Sequence, residues 1–197
     1  MTTTVTARDR AKAQRTDAIL VAAAELFGAR GYSSVSLEDI GAAVGISGPA
    51  VYRHFAGKQA LLGALLIGVS EDLVAGGTAV VQGTADERTR MAMLVDFHVD
   101  FALRNAEVIR VQDRDLAHLT EESRSDVRRL QRAYIGLWID ALSSLAAADR
   151  DELRLRVQAC FGLLNSTPHS TSAALRTRAD TSRVLAAMAI AALTADG

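Results

Sequence analysis

The sequence predicts an all-α fold, in which a small unit of three helices at the N-terminus precedes a larger helical body. Alanine is abundant and only two prolines occur among the 197 residues, a composition that favours helices. Apolar residues recur at helical spacing along most of the chain, and no segment alternates apolar and polar residues as a half-buried strand does. Hydrophobic residues make up 49% of the chain, enough to build one or two packed domains.

The first helix is predicted from near Arg8 to Ala29, and we expect about residues 1–8 to be disordered. Gly31 is placed to end this helix as a glycine cap. Positive charge at a helix start opposes the helix dipole, so Arg8 and Arg10 need another role. They either reach a phosphate backbone or belong to a solvated arm. The apolar stripe of the helix consists of Ile19, Ala23, Leu26 and Phe27.

Two short helices separated by a tight turn follow. Ser36 is placed to cap the first, and Asp39 completes a weaker form of the capping box. Gly45 stands where the chain must turn sharply, because a residue without Cβ adopts positive φ at little cost. Ser47 is a second cap, and Pro49 falls in the first turn of the next helix. The pattern indicates a helix-turn-helix, whose second helix enters the major groove of DNA.

A more specific signal comes directly after the second of these helices. From Tyr52 to Leu61 the residues read Tyr-x-His-Phe-x-x-Lys-x-x-Leu. With the preceding segments Gly31–Tyr32, Ser36–Ile40 and Gly45–Ser47, this string resembles the TetR family of one-component bacterial transcription regulators. The resemblance extends from about residue 19 to residue 65, and beyond it is only architectural.

The resemblance implies a helix-turn-helix DNA-binding domain over residues 1–57 and a helical ligand-binding and dimerisation domain over residues 58–197. It further implies a homodimer that binds a palindromic double-stranded DNA operator and responds to a small-molecule effector of unknown identity. Hydroxyl, imidazole and ammonium groups donate to phosphate oxygens, whereas the start of the second helix would face base edges. The alternative is that Tyr52 and His54 only pack in the core. The implied DNA contacts are Ser36, Tyr52, His54 and Lys58 on phosphates and Ser47, Gly48, Pro49 and Ala50 near bases.

The rest of the chain is predicted to be helical throughout. The next helix starts near Gly57 and is weakened at Gly76–Gly77. Asn165–His169 is a break that contains proline. The remaining helices are predicted over about 86–104, 107–119, 121–147, 151–165 and 172–193. Asp149 is placed to cap the helix over 151–165.

A candidate ligand site lies in the body, because helical bundles hold apolar ligands between helices with a few polar groups that orient them. His98 either orients a ligand or is a core histidine with satisfied hydrogen bonds. The arginine-rich segment 110–132 is either a solvated face or recognises phosphates of a ligand such as an acyl-CoA. The candidate ligand-binding residues are Phe97, His98, Phe101, Arg104, Tyr134 and Trp138.

Dimerisation is expected in the last two predicted helices, where the resemblance implies a four-helix bundle formed by two subunits. The alternative is that their apolar residues pack within one subunit. The candidate interface residues are Val157, Phe161, Leu164, Leu185 and Met188.

Several function classes are disfavoured by the sequence. The net charge is −1, and residues 1–58 contain seven Lys and Arg against five Asp and Glu. This small excess of positive charge adds little to the evidence for DNA binding that the motif provides. We expect no catalytic residue, metal or cofactor, since no nucleophile elbow, phosphate loop or metal-ligand spacing occurs. The single cysteine and the absence of a signal-like or membrane-length apolar run suggest a cytoplasmic protein without membrane contact. We expect a repressor that a small, largely apolar ligand, such as a lipid or an acyl-CoA, releases from its operator. The alternatives are a helical interaction module, or a co-repressor or activator without small-molecule induction.

Overall fold

The computed structural model describes residues 6–195, and within that range the chain is helical with no strand, as the sequence predicts. Two single turns of 3-10 helix, Tyr32–Ser34 and Leu116–His118, join longer elements. The α-helices are α1 Ala7–Arg30, α2 Leu37–Ala43, α3 Gly48–Val51, α4 Lys58–Gly83, α5 Glu87–Arg104, α6 Ala106–Asp115, α7 Glu121–Ser143, α8 Arg150–Asn165, α9 Thr167–Ser170, α10 Ala173–Arg176 and α11 Thr181–Thr194.

Helix α1 begins earlier than expected. Thr6 and Asp9 form a reciprocal capping box, so residues 6–8 are ordered as the start of the helix rather than disordered. Residues 1–5 of the segment expected to be disordered lie outside the described residues. At the other end, Gly31 has φ +86° and its N–H donates to the Phe27 carbonyl, as expected of a glycine cap.

The N-terminal unit, which we call the head, consists of α1–α3 and the first turns of α4. Its apolar core does not close on itself, because α6 and α7 contribute buried side chains to the same cluster. The expected boundary at residues 57 and 58 therefore coincides with the start of α4 but not with a gap in packing. The residues contributed by the body are Val108, Val111, Leu119 and Val127.

Helix α4 continues through Gly76–Gly77, where the sequence predicts a weak point. Tyr134 of α7 explains the requirement for Gly77, since a Cβ there would lie 2.8 Å from the tyrosine ring. At Gly76 a Cβ would collide with the ring of Phe97. The two glycines therefore permit close approach of α5 and α7, and tertiary packing offsets their low helix propensity.

The C-terminal part departs from the predicted boundaries. Helix α7 ends at Ser143, four residues early, and Asp149 caps α8 as expected. The predicted break contains α9, with Pro168 in its first turn, where a missing N–H costs little. The predicted final helix is interrupted between α10 and α11, where the Thr181 hydroxyl donates to the Leu175 carbonyl at 2.6 Å.

Helix α4 is also long and apolar enough to cross a membrane by length and composition, with a mean hydropathy of 1.6 over its most apolar window. The expectation that no apolar run approaches that length is therefore wrong. The apolar residues of its first turns have another use, because Leu61, Leu62 and Leu66 are fully buried in the core of the head.

The glycine at position 77 gives a stability prediction. Gly77→Ala should lower the free energy of unfolding by about 1–2 kcal/mol, because overpacking against Tyr134 outweighs the gain in helix propensity. The matched control is Gly68→Ala in the same helix, where nothing lies within 4 Å of the added Cβ and stability should rise by about 0.5–1 kcal/mol. Urea unfolding at one protein concentration measures both; changes of equal sign would contradict the packing argument.

Candidate functional site

The turn between α2 and α3 requires two glycines, one for its backbone conformation and one for close approach of the chain. Gly45 has φ +70°, a conformation that glycine adopts without strain. Gly41 lies so close to the returning chain that a Cβ would be 2.8 Å from the Ile46 carbonyl oxygen. The Ile46 N–H donates to the Gly41 carbonyl at 2.9 Å and closes the turn. The geometry is that of a helix-turn-helix.

Ser36 caps α2 with a complete capping box. Its hydroxyl accepts from the Asp39 N–H at 3.1 Å and donates to the Asp39 carboxylate at 2.6 Å, and its own N–H donates to the same carboxylate. These bonds lower the pKa of Asp39. Because both donors of Ser36 point at Asp39, the predicted phosphate contact is not supported, and Ser36 fixes the start of α2 instead.

Helix α3 exposes only part of the residue set that the sequence predicts to face bases. Gly48 and Ala50 are buried, and a Cβ on Gly48 would lie 2.9 Å from the Glu38 carboxylate, so these two hold α3 against α2. Pro49 is exposed. Ser47 occupies the N-cap position but makes no capping bond, so its exposed hydroxyl is available to another acceptor or donor.

The turn after α3 presents polar side chains beside this surface. Tyr52 is 56% exposed. His54 is half-buried, and its Nδ1 lies 2.9 Å from the Thr16 hydroxyl, which leaves Nε2 uncommitted. Arg53, which the sequence reasoning missed, is exposed and has no ion-pair partner within residues 6–195. Arg53 lies between Tyr52 and His54 of the Tyr-x-His-Phe string, and this position alone would have pointed to it as a candidate DNA contact. We call Ser47, Pro49, Tyr52, Arg53 and His54 the recognition surface.

Lys58 makes contacts inside the head, and its predicted phosphate contact stays a prediction. Its ammonium donates to the carbonyls of Tyr32 and Val35 at 3.0 and 2.9 Å and lies 4.4 Å from the centre of the Tyr32 ring. These contacts tie the start of α4 to the loop between α1 and α2. Two of the three ammonium hydrogens are thereby used inside the head.

The head is fastened to the body at a second set of contacts, which we call the clasp. Arg114 of α6 donates to the Phe27 carbonyl near the end of α1. Gln59 donates to the His118 carbonyl at 2.8 Å, and the His118 ring stacks on Tyr32 at 4.6 Å. Any rotation of α6 therefore acts directly on α1 and α4.

A cavity of about 180 Å³ lies in the body between α4, α5, α6, α7 and α8; we call it the inner cavity. Its lining consists of apolar side chains, neutral polar side chains and His98, and it contains no Asp, Glu, Lys or Arg. The lining residues are Ser70, Leu73, His98, Gln112, Leu130, Gln131, Tyr134, Ile135, Phe161 and Asn165.

His98 is held at the wall of the inner cavity by two hydrogen bonds. Its Nε2 lies 3.1 Å from the Asn165 Oδ1, an acceptor, so this nitrogen carries the proton and Nδ1 accepts from the Tyr134 hydroxyl at 3.3 Å. Burial lowers the pKa of His98 to about 4, so the ring is neutral at pH 7. His98 is thus a buried histidine with both ring nitrogens hydrogen-bonded, and its ring also lines the cavity.

Aromatic rings surround this histidine. Phe161 stacks on His98 with 4.6 Å between centroids and on Tyr134 at 5.6 Å, and Trp138 meets Phe161 edge-on at 4.9 Å. Burial raises the pKa of Tyr134. The Trp138 Nε1 is buried beside Tyr134 without a hydrogen bond of good geometry among the described residues, and Trp138 does not line the inner cavity.

The predicted ligand-binding set does not form a single site. His98, Tyr134 and Trp138 belong to the aromatic cluster at the inner cavity. Phe97 and Phe101 line a neighbouring cavity on the other side of α5. Arg104 is exposed, pairs with Asp100 at 2.7 Å and lies outside the inner cavity, because α5 ends there.

Most of the arginine-rich segment is committed to the protein itself. Arg110 donates to the Pro168 carbonyl and pairs with Glu107. Arg124 donates to two backbone carbonyls, and Arg129 pairs with Asp126. Arg128 and Arg132 are exposed, and no ion pair to either occurs among residues 6–195.

Three of the five candidate interface residues face inward. Val157 and Leu164 are fully buried and Phe161 lies in the aromatic cluster, so they support α8 from within the subunit. Met188 is 50% exposed, and Leu185 is half-buried. Helices α8 and α11 nevertheless expose one apolar face, which we call the outer face. It consists of Leu155, Ala159 and Gly162 on α8 and Val184, Met188 and Ala191 on α11.

No group of three or more potential metal ligands occurs in the part of the chain that the structure describes. Cys160 is buried, and burial raises the pKa of its thiol to about 11, so it is an unreactive core residue.

A helix-turn-helix held on a helical body with an internal cavity defines a ligand-responsive class of DNA-binding protein. Two family models match the chain: bacterial regulatory proteins of the tetR family over residues 19–65, and the tetracyclin repressor-like C-terminal domain over residues 84–169. Together they cover more than half of the chain. The chain therefore belongs to the TetR family of DNA-binding transcriptional regulators, and this membership confirms the interpretation that it is not an enzyme.

Two curated relatives resemble the chain. The transcriptional activator FasR of Mycolicibacterium smegmatis is 32% identical over 98 residues, which is 50% of this chain and 45% of FasR. The matched part thus spans less than half the length of that relative. The transcriptional repressor KstR2 of Rhodococcus jostii is 24% identical over 157 residues, covering 79% of this chain and 77% of KstR2.

Solved structures share the fold. A TetR-family regulator from Bordetella parapertussis superposes with a TM-score of 0.80 at 27% identity, covering 92% of this chain and 94% of that one. AibR, solved in complex with isovaleryl coenzyme A and operator DNA, has a TM-score of 0.75 at 21% identity, with coverage of 91% and 98%. The likeness to AibR shows the fold alone.

The buried histidine gives a pH prediction. Because the pKa of His98 is about 4 in the folded protein and about 6.5 when unfolded, only the unfolded chain gains its proton between these values. Stability contributed by neutral His98 is present above pH 6.5 and falls by about 3 kcal/mol as the pH drops to 4. His98→Gln should lose less stability than wild type over this range in urea unfolding. Equal pH dependence of wild type and His98→Gln would contradict the assignment.

Proposed function

We propose that the protein is a homodimeric transcriptional repressor that leaves a palindromic operator when a small, largely apolar ligand places a neutral group in the inner cavity. The observation that carries this proposal is the recognition surface on a rigid helix-turn-helix, with Ser47, Pro49, Tyr52 and Arg53 exposed. Polar groups there are suited to phosphates, and Pro49 offers an apolar surface to thymine methyls. With few polar groups near the bases, sequence-dependent DNA shape contributes to operator choice.

The outer face supports dimerisation. Two copies of α8 and α11, paired through this face, make a four-helix bundle in which small residues allow close approach of the backbones. Binding of such a dimer to two half-sites requires two recognition surfaces about 34–36 Å apart, or a multiple of that distance, so that they enter successive major grooves. Regulators of this family typically act as dimers, which agrees with this arrangement.

The inner cavity restricts the ligand class. Its volume of about 180 Å³ lies below that of sites for drug-sized ligands, so it suits a short acyl group rather than a whole nucleotide-bearing ligand. The lining lacks a permanent charge, and a buried ion would be costly there. The isovaleryl coenzyme A bound to AibR is a precedent for a short acyl group in this fold. If the ligand is an acyl-CoA, its acyl end occupies the cavity, and Arg128 and Arg132 are the arginines left for its phosphates.

Coupling between ligand and DNA runs through the elements that both sites share. Helix α4 carries Ser70 and Leu73 of the inner cavity and Lys58 of the head, and α6 carries Gln112 of the cavity and Arg114 of the clasp. A ligand that prefers a rotated α4 or α6 would change the spacing of the recognition surfaces. Operator DNA must then weaken ligand binding by the same factor.

We propose the division of labour that the family resemblance implies, with DNA binding in residues 1–57 and ligand binding and dimerisation in residues 58–197. Acting on chromosomal operators, the protein would work in the cytoplasm. The relatives include a named repressor and a named activator. Transcription from a promoter that overlaps the operator separates the two modes: added protein lowers transcript yield if it represses, and a higher yield would overturn the proposal of repression.

The recognition surface gives a binding prediction. Tyr52→Phe removes one donor to phosphate and should weaken binding to operator and to a scrambled duplex alike, by about fivefold, since one such bond contributes about 1 kcal/mol. Fluorescence anisotropy at fixed salt measures both affinities. A change of base preference with unchanged affinity for the scrambled duplex would place Tyr52 on bases instead of phosphates.

The outer face gives an assembly prediction. Met188→Glu and Leu155→Glu should each make the protein monomeric at micromolar concentration, because an unpaired charge would be buried at the interface. Met93→Glu on α5, also at an exposed apolar residue, is the matched control and should remain dimeric. Sedimentation velocity with circular dichroism decides: folded, fully dimeric Met188→Glu and Leu155→Glu proteins would exclude the outer face.

The effector part of the proposal is tested with the compound that copurifies with the protein, identified by mass spectrometry after extraction. Titration of the operator complex with that compound should release DNA. Unchanged operator affinity at saturating compound would contradict the ligand switch while leaving DNA binding and dimerisation intact.

A further inference from the structure

A second and larger cavity lies outside the inner cavity, at the junction of the head and the body. It is a groove of about 560 Å³ between α1, α4, the turn from α5 to α6, and α10, and we call it the junction groove. Its volume falls in the range of small-molecule sites, whereas that of the inner cavity is below it. None of the function proposed above uses it.

The floor of the junction groove is apolar and open to solvent. On α1, Val21 is 59% exposed and Leu20 is half-buried, although both could have been polar at a solvated surface. Leu65 and Val69 of α4 and Val108 of α6 form the opposite sides. An exposed apolar floor of this kind is suited to an apolar ligand.

Carboxylates stand around this apolar floor. Asp17 and Glu25 lie one turn before and one turn after Val21, and Asp72 faces them from α4. None of the three makes an ion pair or side-chain hydrogen bond within residues 6–195. Glu107 at the edge of the groove pairs with Arg110 through Oε1, whereas its Oε2 is buried with no partner in the described chain.

Two arginines line the groove against four carboxylates, so its net charge is negative. The Arg104 side chain pairs with Asp100, which does not line the groove, at 2.7 Å. Arg176 keeps its positive charge in the groove and donates to the Thr171 carbonyl at 2.5 Å. The groove therefore combines an apolar floor with a net negative charge, a combination complementary to a cation with a large apolar surface.

Aromatic rings extend this complementarity. Val69, Asp72 and Asn105 also line an adjoining cavity of about 230 Å³, whose other walls include Phe97 and Phe101. A cation beside Asp72 is therefore close to two aromatic side chains, which attract positive charge through their ring faces. This placement accounts for the two phenylalanines of the predicted ligand set that do not reach the inner cavity.

We propose that the junction groove is a binding site for an organic cation with a large apolar surface, distinct from the site of the neutral group in the inner cavity. The proposal does not depend on the repressor function, because it concerns binding to the free protein. The carboxylates of Asp17, Glu25 and Asp72 provide the charge selectivity, and Val21 and Leu20 provide the apolar contact.

The test uses two probes of the same shape and opposite charge, tetraphenylphosphonium and tetraphenylborate, in calorimetric titration of the full-length protein. The phosphonium should bind, and the borate should bind at least about tenfold more weakly because the carboxylates repel it. Equal binding of both ions, or binding of the borate alone, would overturn the proposal.

Variants locate the site. Replacing the three carboxylates together (Asp17→Asn, Glu25→Gln, Asp72→Asn) should weaken phosphonium binding about tenfold, since each exposed charge contributes a few-fold. Glu71→Gln removes a neighbouring charge that does not line the groove and should bind as wild type. Val21→Arg, at an exposed position that tolerates a long side chain, should abolish binding without unfolding the protein. Wild-type affinity in the triple variant and in Val21→Arg would exclude the junction groove.

Discussion

The packing of the body helix α6 against the head is the constraint on which the rest of the structure depends. Val108 and Val111 are buried in the same cluster as Ile19 and Phe27 of α1, so the head has no complete core of its own. Gly28 permits this contact, because a Cβ there would lie 2.7 Å from Cβ of Glu107. Burying each such aliphatic side chain contributes about 1.5–3 kcal/mol, so the helix-turn-helix derives part of its stability from the body.

Under the proposed function, this shared core is the path by which the inner cavity would influence DNA binding. The recognition surface is held on α3, α3 on α2 and α1, and α1 on α6, each through buried contacts or backbone hydrogen bonds. Arg114 and Lys58 bind backbone carbonyls at the ends of these elements. The proposed ligand would act on operator binding to the extent that it prefers one arrangement of α4 and α6 over another. Coupling of this kind needs no flexible linker, and the structure has none between head and body.

The sequence predicts those features whose causes are local. Capping residues such as Ser36 and Asp149 place helix starts within a residue, and Gly45 marks the turn by its backbone freedom. Features that depend on tertiary contacts were missed: Gly76–Gly77 looks like a weak point until Phe97 and Tyr134 are seen against it. The direction in which a side chain points was predicted least well, because apolar periodicity identifies a buried stripe without saying whether a neighbour in the same subunit or a second subunit covers it. The sequence predicts Val157 and Leu164 at the interface for that reason, whereas they are buried within the subunit and other residues of α8 and α11 form the outer face.

The most direct test of a head that depends on the body is hydrogen exchange in a variant that weakens only the shared core. Val108→Ala removes two buried methyl groups from α6, and Val99→Ala makes the same change in the separate core of the body. If the head lacks an independent core, Val108→Ala should speed exchange of the amides of α1, α2 and α6. The free energy of the opening reaction that permits exchange should fall by the same amount in all three helices. Val99→Ala should leave α1 and α2 protected. Unchanged exchange of α1 and α2 in Val108→Ala would show that the head is stable alone and would contradict the account.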